Sequence, residues 1–419
     1  MRWYSTVATT TFRNLGIKNG VCENLKSKFG IQLPTAAQAR FLPVIQSGRD
    51  LLLRDRTGTG KSFGIAVALA SAATSSEASV RSLYVAPNLE LATQVHSWVN
   101  SLHHGNPLDI QLLPSSSSEI SQHIPHTIIG TPGRLLEASS KLPFSSLERI
   151  VLDEADQALR LPKRYAPLQD RKFRERHPKP AQQLIESIFK QNNPQMIVAS
   201  ATLNRPLRHF LREKKWVTDP EFVDITEGVV NASESQNVQH YCLVLNEQEI
   251  RNMHSTFMQG PAKADFDDTD ERMLGSIAIL QEEERVHNGI LFVNSHTVSI
   301  PKVIQQLKEF NVEARDIQEY QPTMTAAATS PTPTPLWVAT EFSARGMDIP
   351  DVSHVFILGR PASPASYLHM AGRTGRLSAG GFKPGKVFTL IRDEGRSTAA
   401  MQNMYKLIDV NIEKYEPVQ

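Results

Sequence analysis

Short apolar runs of strand length recur along this 419-residue chain, each followed by a turn and a longer run with helical spacing. In the first half they are Asp50–Leu53, Ser82–Val85, Thr127–Ile129, Arg149–Leu152 and Met196–Ala199. The series resumes with Leu243–Leu245, Ile290–Val293, Leu336–Val338, His354–Ile357 and Val387–Leu390. Strands that are apolar throughout, and alternate with helices, indicate parallel sheets covered on both faces. The pattern predicts an α/β chain with two such sheets. Between the two sets, Glu227–Gln239 is polar, holding Asn231, Ser233, Ser235 and Asn237, and reads as an interdomain linker. The expected domains are therefore residues 12–226 and 240–405, with tails at 1–11 and 406–419.

Three stretches break the rhythm. Arg160–Pro180 carries eight basic residues against two acidic ones, with Tyr165 and Phe173 interleaved. It reads either as a solvated charged loop or as a docking insertion for RNA or protein. Gly260–Arg272 is acidic around Asp265, Asp267, Asp268, Asp270 and Glu271, and Gln321–Pro335 is Pro/Thr/Ala-rich, with no regular structure expected.

Composition changes this picture little. Hydrophobic residues at 40% and charged residues at 21% suit a soluble globular chain long enough for two or three cores. The net charge of +2 permits a nucleic-acid partner without pointing to one, since local patches decide. Cys22 and Cys242 lie far apart and imply free thiols in a reducing compartment. No apolar stretch is long enough to span a membrane. The first 22 residues hold Arg2, Arg13 and Lys18 but no acid. Such a start reads as a mitochondrial presequence, with Arg2-Trp3-Tyr4-Ser5 resembling a cleavage site, or as a short disordered tail.

The chemistry begins after the run Leu51–Leu53, with Arg54-Asp55-Arg56-Thr57-Gly58-Thr59-Gly60-Lys61-Ser62 leading into a helical run. Glycines let several N–H groups point at one phosphate chain, and a helix N-terminus adds positive potential. Lys61 is placed to reach the β- and γ-phosphates and Ser62 to ligate Mg²⁺. Thr57, Gly58, Thr59 and Gly60 supply the cradle. Asp55 stands where a small residue is usual, and could repel phosphate unless Arg54 or Arg56 pairs with it. The second half of an NTPase site follows another strand, at Asp153-Glu154-Ala155-Asp156. There Asp153 would hold Mg²⁺, and Glu154 would orient and polarise the attacking water.

At this point the chain resembles the DEAD-box RNA helicase family over roughly residues 12–395, with Asp153–Asp156 spelling the name-giving tetrapeptide. The resemblance implies two tandem RecA-like domains, ATP and Mg²⁺ as cofactors, and RNA held largely by its backbone. Gly30–Gln38 looks like the Q motif, which implies that Gln38 reads the adenine edge and that Phe12 stacks on it. Pro87–Gln94 is similar to motif Ia and Thr131–Arg134 matches motif Ib, so Pro87, Glu90, Thr131, Gly133 and Arg134 would line the RNA groove. Ser200-Ala201-Thr202 matches motif III, which in the family couples ATP to RNA; Asp156 and His369 join Ser200 and Thr202 in that role. Leu291–Ser295 is similar to motif IV, with Ser295 on RNA. Thr340–Asp348 is similar to motif V, with Thr340 on RNA and Gly346 and Asp348 at the nucleotide. His369–Arg376 is similar to motif VI, so Arg373 and Arg376 would act as arginine fingers when the cleft closes.

Departures fall mostly on the RNA side. Leu89 stands where the family has Arg, Asn88 for Thr, Met370 for Arg and Glu341 for Asp, and Ser115–Ser118 replaces a pair of glycines. A chain with fewer phosphate-binding groups binds RNA more weakly and with a shallower salt dependence. Two functions follow from the resemblance. One is an RNA-dependent ATPase that remodels RNA or ribonucleoprotein, with a protein partner choosing the target. The other is a hydrolytically weak RNA- or ribosome-bound scaffold. The N-terminal reading would put it in the mitochondrial matrix, in ribosome assembly or mRNA translation; otherwise the compartment is cytoplasmic or nuclear.

Overall fold

All ten apolar runs form strands, and each set joins its own sheet. The structure is a computed structural model. It describes residues 10–54, 60–73, 79–114, 124–142, 144–162, 166–225, 238–246, 249–253, 269–293, 298–320, 334–341, 343–344, 349–375, 377–378, 381–393, 397–408 and 410–418. The chain divides into two units, Met1–Gly228 and Val229–Gln419.

The first unit begins with α1 (Asn19–Phe29), α2 (Ala36–Gln46), β1 (Leu51–Arg54), α3 (Lys61–Ala72), β2 (Ser82–Val85) and α4 (Leu89–Leu102). It continues with β3 (Ile110–Leu113), β4 (Thr127–Gly130), α5 (Pro132–Ala138), β5 (Arg149–Leu152) and α6 (Ala155–Leu159). It closes with α7 (Leu168–Arg176), α8 (Pro180–Phe189), β6 (Gln195–Ser200), α9 (Arg205–Glu213) and β7 (Glu221–Asp224). Among the described residues its seven strands are all parallel, in the order β3-β4-β2-β5-β6-β1-β7.

The second unit opens with β8 (Val238–Leu245), β9 (Ile250–Asn252), α10 (Glu271–Glu283), β10 (Gly289–Val293), α11 (Ile300–Glu309) and β11 (Ala314–Asp316). Then come β12 (Leu336–Thr340), β13 (His354–Leu358), α12 (Pro364–Ala371), a hairpin of β14 (Leu377–Ser378) and β15 (Gly381–Phe382), β16 (Gly385–Arg392) and α13 (Ser397–Leu407). Its sheet runs β11-β12-β10-β13-β16-β8-β9, parallel except for the β8–β9 pair.

Continuous apolarity does mean two covered faces. Along β10, Ile290 and Phe292 join the core on one side and Leu291 and Val293 the core on the other. In the first unit, Leu51, Leu52 and Leu53 of β1 are fully buried. Each such side chain contributes about 1.5–3 kcal/mol relative to exposure.

Besides the β14–β15 hairpin, four strands escaped the sequence pattern: β3, β7, β9 and β11. All four lie at sheet edges, where one flank is open and the run is half exposed. The residues expected as a C-terminal tail pack instead. Tyr415 is buried against Tyr241 and Phe388, its N–H donates to Asn252 Oδ1 at 2.8 Å, and Glu413 bridges to Tyr241. One aromatic in a polar stretch leaves no periodic signal. Within the expected linker, Val238 and Gln239 already belong to β8, and 227–237 lies outside the described residues. Of the stretches read as insertions, residues 168–176 form α7, Asp270 caps α10 by accepting from Met273 N at 3.0 Å, and 260–268 and 321–333 lie outside the described residues.

Candidate functional site

In a parallel sheet every strand ends on the same edge, and ligands bind there. β1 and β5 are separated by β6, so the residues after them meet across one strand. Gly60 starts α3 at φ +86, a conformation that suits glycine, and a side chain there would crowd Gln38 Nε2 at 3.0 Å. Lys61 and Ser62 follow as the first helical residues, and Lys61 is buried.

Ser62 Oγ donates to Asp153 Oδ2 at 2.6 Å, linking the two halves of the expected phosphate site. The same carboxylate oxygen accepts from the Tyr84 hydroxyl, while Asp153 Oδ1 accepts from Glu154 N at 2.9 Å. Burial pushes the Asp153 carboxyl up, and the Glu154 charge adds to this; the Ser62 and Tyr84 bonds and the Lys61 charge pull the other way. Tyr84 is fully buried on β2, and burial and the Asp153 charge hold its phenol well above its usual range. Sequence reasoning misses Tyr84 because a tyrosine inside an apolar strand looks like core. The hint it carries is a hydroxyl that needs a buried partner.

Glu154 sits at φ 47, in the left-handed region, as the residue that starts α6. A non-glycine residue there is strained by on the order of 1–3 kcal/mol, which the Asp153 and Gln157 bonds offset. Asp156, two residues on, accepts from Ser200 Oγ at 2.6 Å and from Thr202 Oγ1 at 2.7 Å. The β5–β6 pairing thus brings together three members of the expected coupling set.

Gln38 has two tasks. It closes a capping box with Thr35 at the start of α2, and its Nε2 donates to Gly60 O at 3.2 Å. One N–H and one lone pair remain for a ligand. Phe12 is only 2% exposed, at a turn that packs on α2, so the structure packs the ring away instead of presenting it. Arg54, a candidate partner for Asp55, pairs with Asp224 at 3.1 Å. Asp55, Arg56, Thr57, Gly58 and Thr59 lie outside the described residues.

The expected RNA residues of the first unit stand at helix starts on the same edge. Asn88 caps α4 by accepting from Leu91 N at 2.9 Å, with Pro87 before it and Glu90 exposed in the first turn. Leu89 is 39% exposed. Thr131 is the cap residue of α5, a Cβ on Gly133 would meet open space, and Arg134 pairs with Glu137.

The second unit is described by itself. Thr340 and Ser343 exchange bonds after β12, Ser343 N donating to Thr340 Oγ1 at 3.0 Å and Thr340 N to Ser343 Oγ at 2.9 Å. Glu341 accepts from Ser366 Oγ and lies 4.0 Å from His369 Nδ1. Arg373, at the end of α12, donates from Nε to His369 O at 3.1 Å. Gly375 has φ +66, and a Cβ would strike Val238 at 2.1 Å. Ser295, Gly346, Asp348 and Arg376 lie outside the described residues.

Two mostly parallel α/β sheets, with Lys61 and Ser62 after one strand of the first and the Asp153–Glu154 pair after another, one strand between them, define a tandem RecA-like NTPase. Comparison with known proteins specifies the family. Residues 35–210 match the DEAD/DEAH box helicase domain and residues 271–378 the helicase conserved C-terminal domain. The chain is 26% identical to DEAD-box ATP-dependent RNA helicase CshA of Bacillus cereus, over 92% of this chain and 67% of that one. It is 27% identical to ATP-dependent rRNA helicase rrp3 of Aspergillus terreus, over 90% of this chain and 77% of that one. Several further CshA proteins match over 66% of their length, so the chain spans about two-thirds of these bacterial relatives. S. cerevisiae Dbp5 bound to RNA and ADP BeF3 has the same fold, with a TM-score of 0.70 and 22% identity, covering 97% of this chain and 95% of that one. The chain belongs to the DEAD-box family of ATP-dependent RNA helicases, as a divergent member.

Proposed function

We propose that this chain is an RNA-dependent ATPase that remodels RNA or ribonucleoprotein locally. The observation that carries the reading is the contact of Ser62 and Asp153 at 2.6 Å beside buried Lys61, with Asp156 tied to Ser200 and Thr202 on the neighbouring strand end. Lys61 binds the phosphate chain, Glu154 takes up the proton of the attacking water, and Gln38 reports the base to the loop through Gly60. Arg373 and Arg376 of the second unit supply charge to the developing phosphate. Ser62 and Asp153 form a hard-oxygen pair that fits Mg²⁺ shared with a phosphate chain. Among the described residues no cluster of three His, Cys, Asp or Glu side chains could hold a metal alone. When bound, the ion supplies charge neutralisation at the phosphate oxygens. The Asp156 bonds to Ser200 and Thr202 give the route by which the RNA edge senses the nucleotide. RNA is bound through its backbone, so a protein partner selects the target.

The compartment we propose is the mitochondrial matrix, on the acid-free start of the chain, with ribosome assembly or mRNA translation as the setting. Import of the full chain into isolated mitochondria, with loss on removal of residues 1–11, tests that part. The enzymatic reading is tested by ATP hydrolysis with and without single-stranded RNA, beside Glu154→Gln. Stimulation by RNA that the variant loses supports it. Nucleotide binding without turnover under any RNA condition replaces it with the scaffold.

A further inference from the structure

Helix α7 buries none of its residues: Leu168 is 73% exposed and Phe173 66%. An isolated nine-residue helix is marginal in water, so its attachment matters. Arg174 provides it, donating to Leu159 O at the end of α6 and to His177 O at 3.2 Å. Residues four apart share a face of a helix. The row Leu168–Lys172–Arg176 faces away from Arg174 and the row Gln169–Phe173 flanks it, with His177 following the helix; all are exposed and none is acidic. Asp170 and Glu175 fall on the other two rows. The Phe173 and His177 rings pair at 4.5 Å on the outer face, and exposed Lys179 follows.

The placement is equally specific. α6 follows β5 directly, and α8 leads back to the start of β6, so α7 between them lies at the edge where all strands end. α5, which starts at that edge, packs on α8. Cations without acids suit a phosphate backbone, and exposed aromatic rings beside them suit unpaired bases. A protein partner would be expected to find more apolar surface than two isolated side chains.

We propose that the outer face of α7 binds single-stranded RNA, with Lys172 and Arg176 on phosphates and Phe173 stacking on a base. This rests on the reading of the chain as an RNA-dependent ATPase.

The test uses the full chain and a labelled oligo(U) RNA, comparing wild type with Lys172→Ala/Arg176→Ala and with Phe173→Ala. The double variant should bind about tenfold more weakly, and its slope of log affinity against log salt should fall by about 1.4, two single-strand phosphate contacts. Phe173→Ala should bind at least about fivefold more weakly with the slope unchanged. ATP hydrolysis without RNA should stay at the wild-type level in both, since neither touches the nucleotide cluster. Wild-type RNA affinity and slope in both variants, with RNA still stimulating wild-type hydrolysis, would overturn this proposal alone and turn the search to a protein ligand for α7. No RNA binding by the wild type would overturn the enzymatic reading together with it.

Discussion

The strand-end edge of the first unit carries two kinds of polar group, and they differ in how they are held. Around Asp153 and Asp156 the groups are buried or half buried and joined by hydroxyl–carboxylate bonds of 2.6–2.7 Å. At the starts of α4 and α5 they are half buried or exposed, with Asn88 capping α4 and Arg134 paired with Glu137, and along α7 every residue but Arg174 is exposed. Transition-state charge must meet groups already in position, because reorganisation during reaction is slow and unfavourable. A nucleic-acid backbone is held by summed charge, which tolerates substitution. The difference explains where the chain departs from its family. Asn88 in motif Ia still caps α4, and Leu89 removes one charge from a sum, whereas the buried cluster keeps each of its polar members.

The largest effect is expected at Asp153. Asp153→Asn should lower RNA-stimulated ATP turnover about a hundredfold or more, measured by steady-state phosphate release. Turnover near wild type would show the buried cluster to be structural only.

Asp156→Ala is next. It leaves the Ser200 and Thr202 hydroxyls without their carboxylate, lowering unfolding free energy by about 1–3 kcal/mol in denaturant titrations. RNA stimulation of hydrolysis should vanish while nucleotide affinity persists. Retained stimulation would remove these residues from the coupling route.

Tyr84→Phe deletes one bond to Asp153 and keeps the shape of the strand. A hydrogen bond to a charged group is worth about 1.5–3 kcal/mol, so turnover should fall about tenfold. The Mg²⁺ concentration at half-maximal rate should rise, a readout that a packing role would leave unmoved.

The smallest effect is on pH dependence. Burial first, then the Arg149 charge, depress the His126 imidazole from 6.5 to about 4. A depressed histidine binds fewer protons folded than unfolded, so its contribution is present above pH 6.5 and is lost as pH falls through 4. His126→Gln should flatten the fall of melting temperature across that window by a few degrees, about 2–4 °C per kcal/mol. An unchanged profile would place the titration elsewhere.

How much of this is legible in the sequence follows from the physics of each part. Central strands declare themselves because both faces are covered; β3, β7, β9 and β11 do not, because an edge strand needs no apolar run. Lys61, Ser62 and Asp153 can be read because phosphate chemistry restricts residue type and spacing together. Tyr84 cannot, since its partner is 69 residues away and only the pairing of β2 with β5 brings them together. The bond from Gln38 to Gly60 depends on α2 lying beside the start of α3, which no local pattern specifies. Tyr415 is hidden for the same reason, its partners Tyr241, Asn252 and Phe388 being far off in sequence.

Under the proposed function, the nucleotide cluster and the RNA edge form one coupled device. The most direct test is equilibrium affinity for single-stranded RNA without nucleotide, with ADP, and with a non-hydrolysable ATP analogue. The analogue should tighten RNA binding about tenfold, RNA should tighten the analogue by the same factor, and Asp156→Ala should remove both effects. RNA affinity indifferent to nucleotide in the wild-type chain would contradict it.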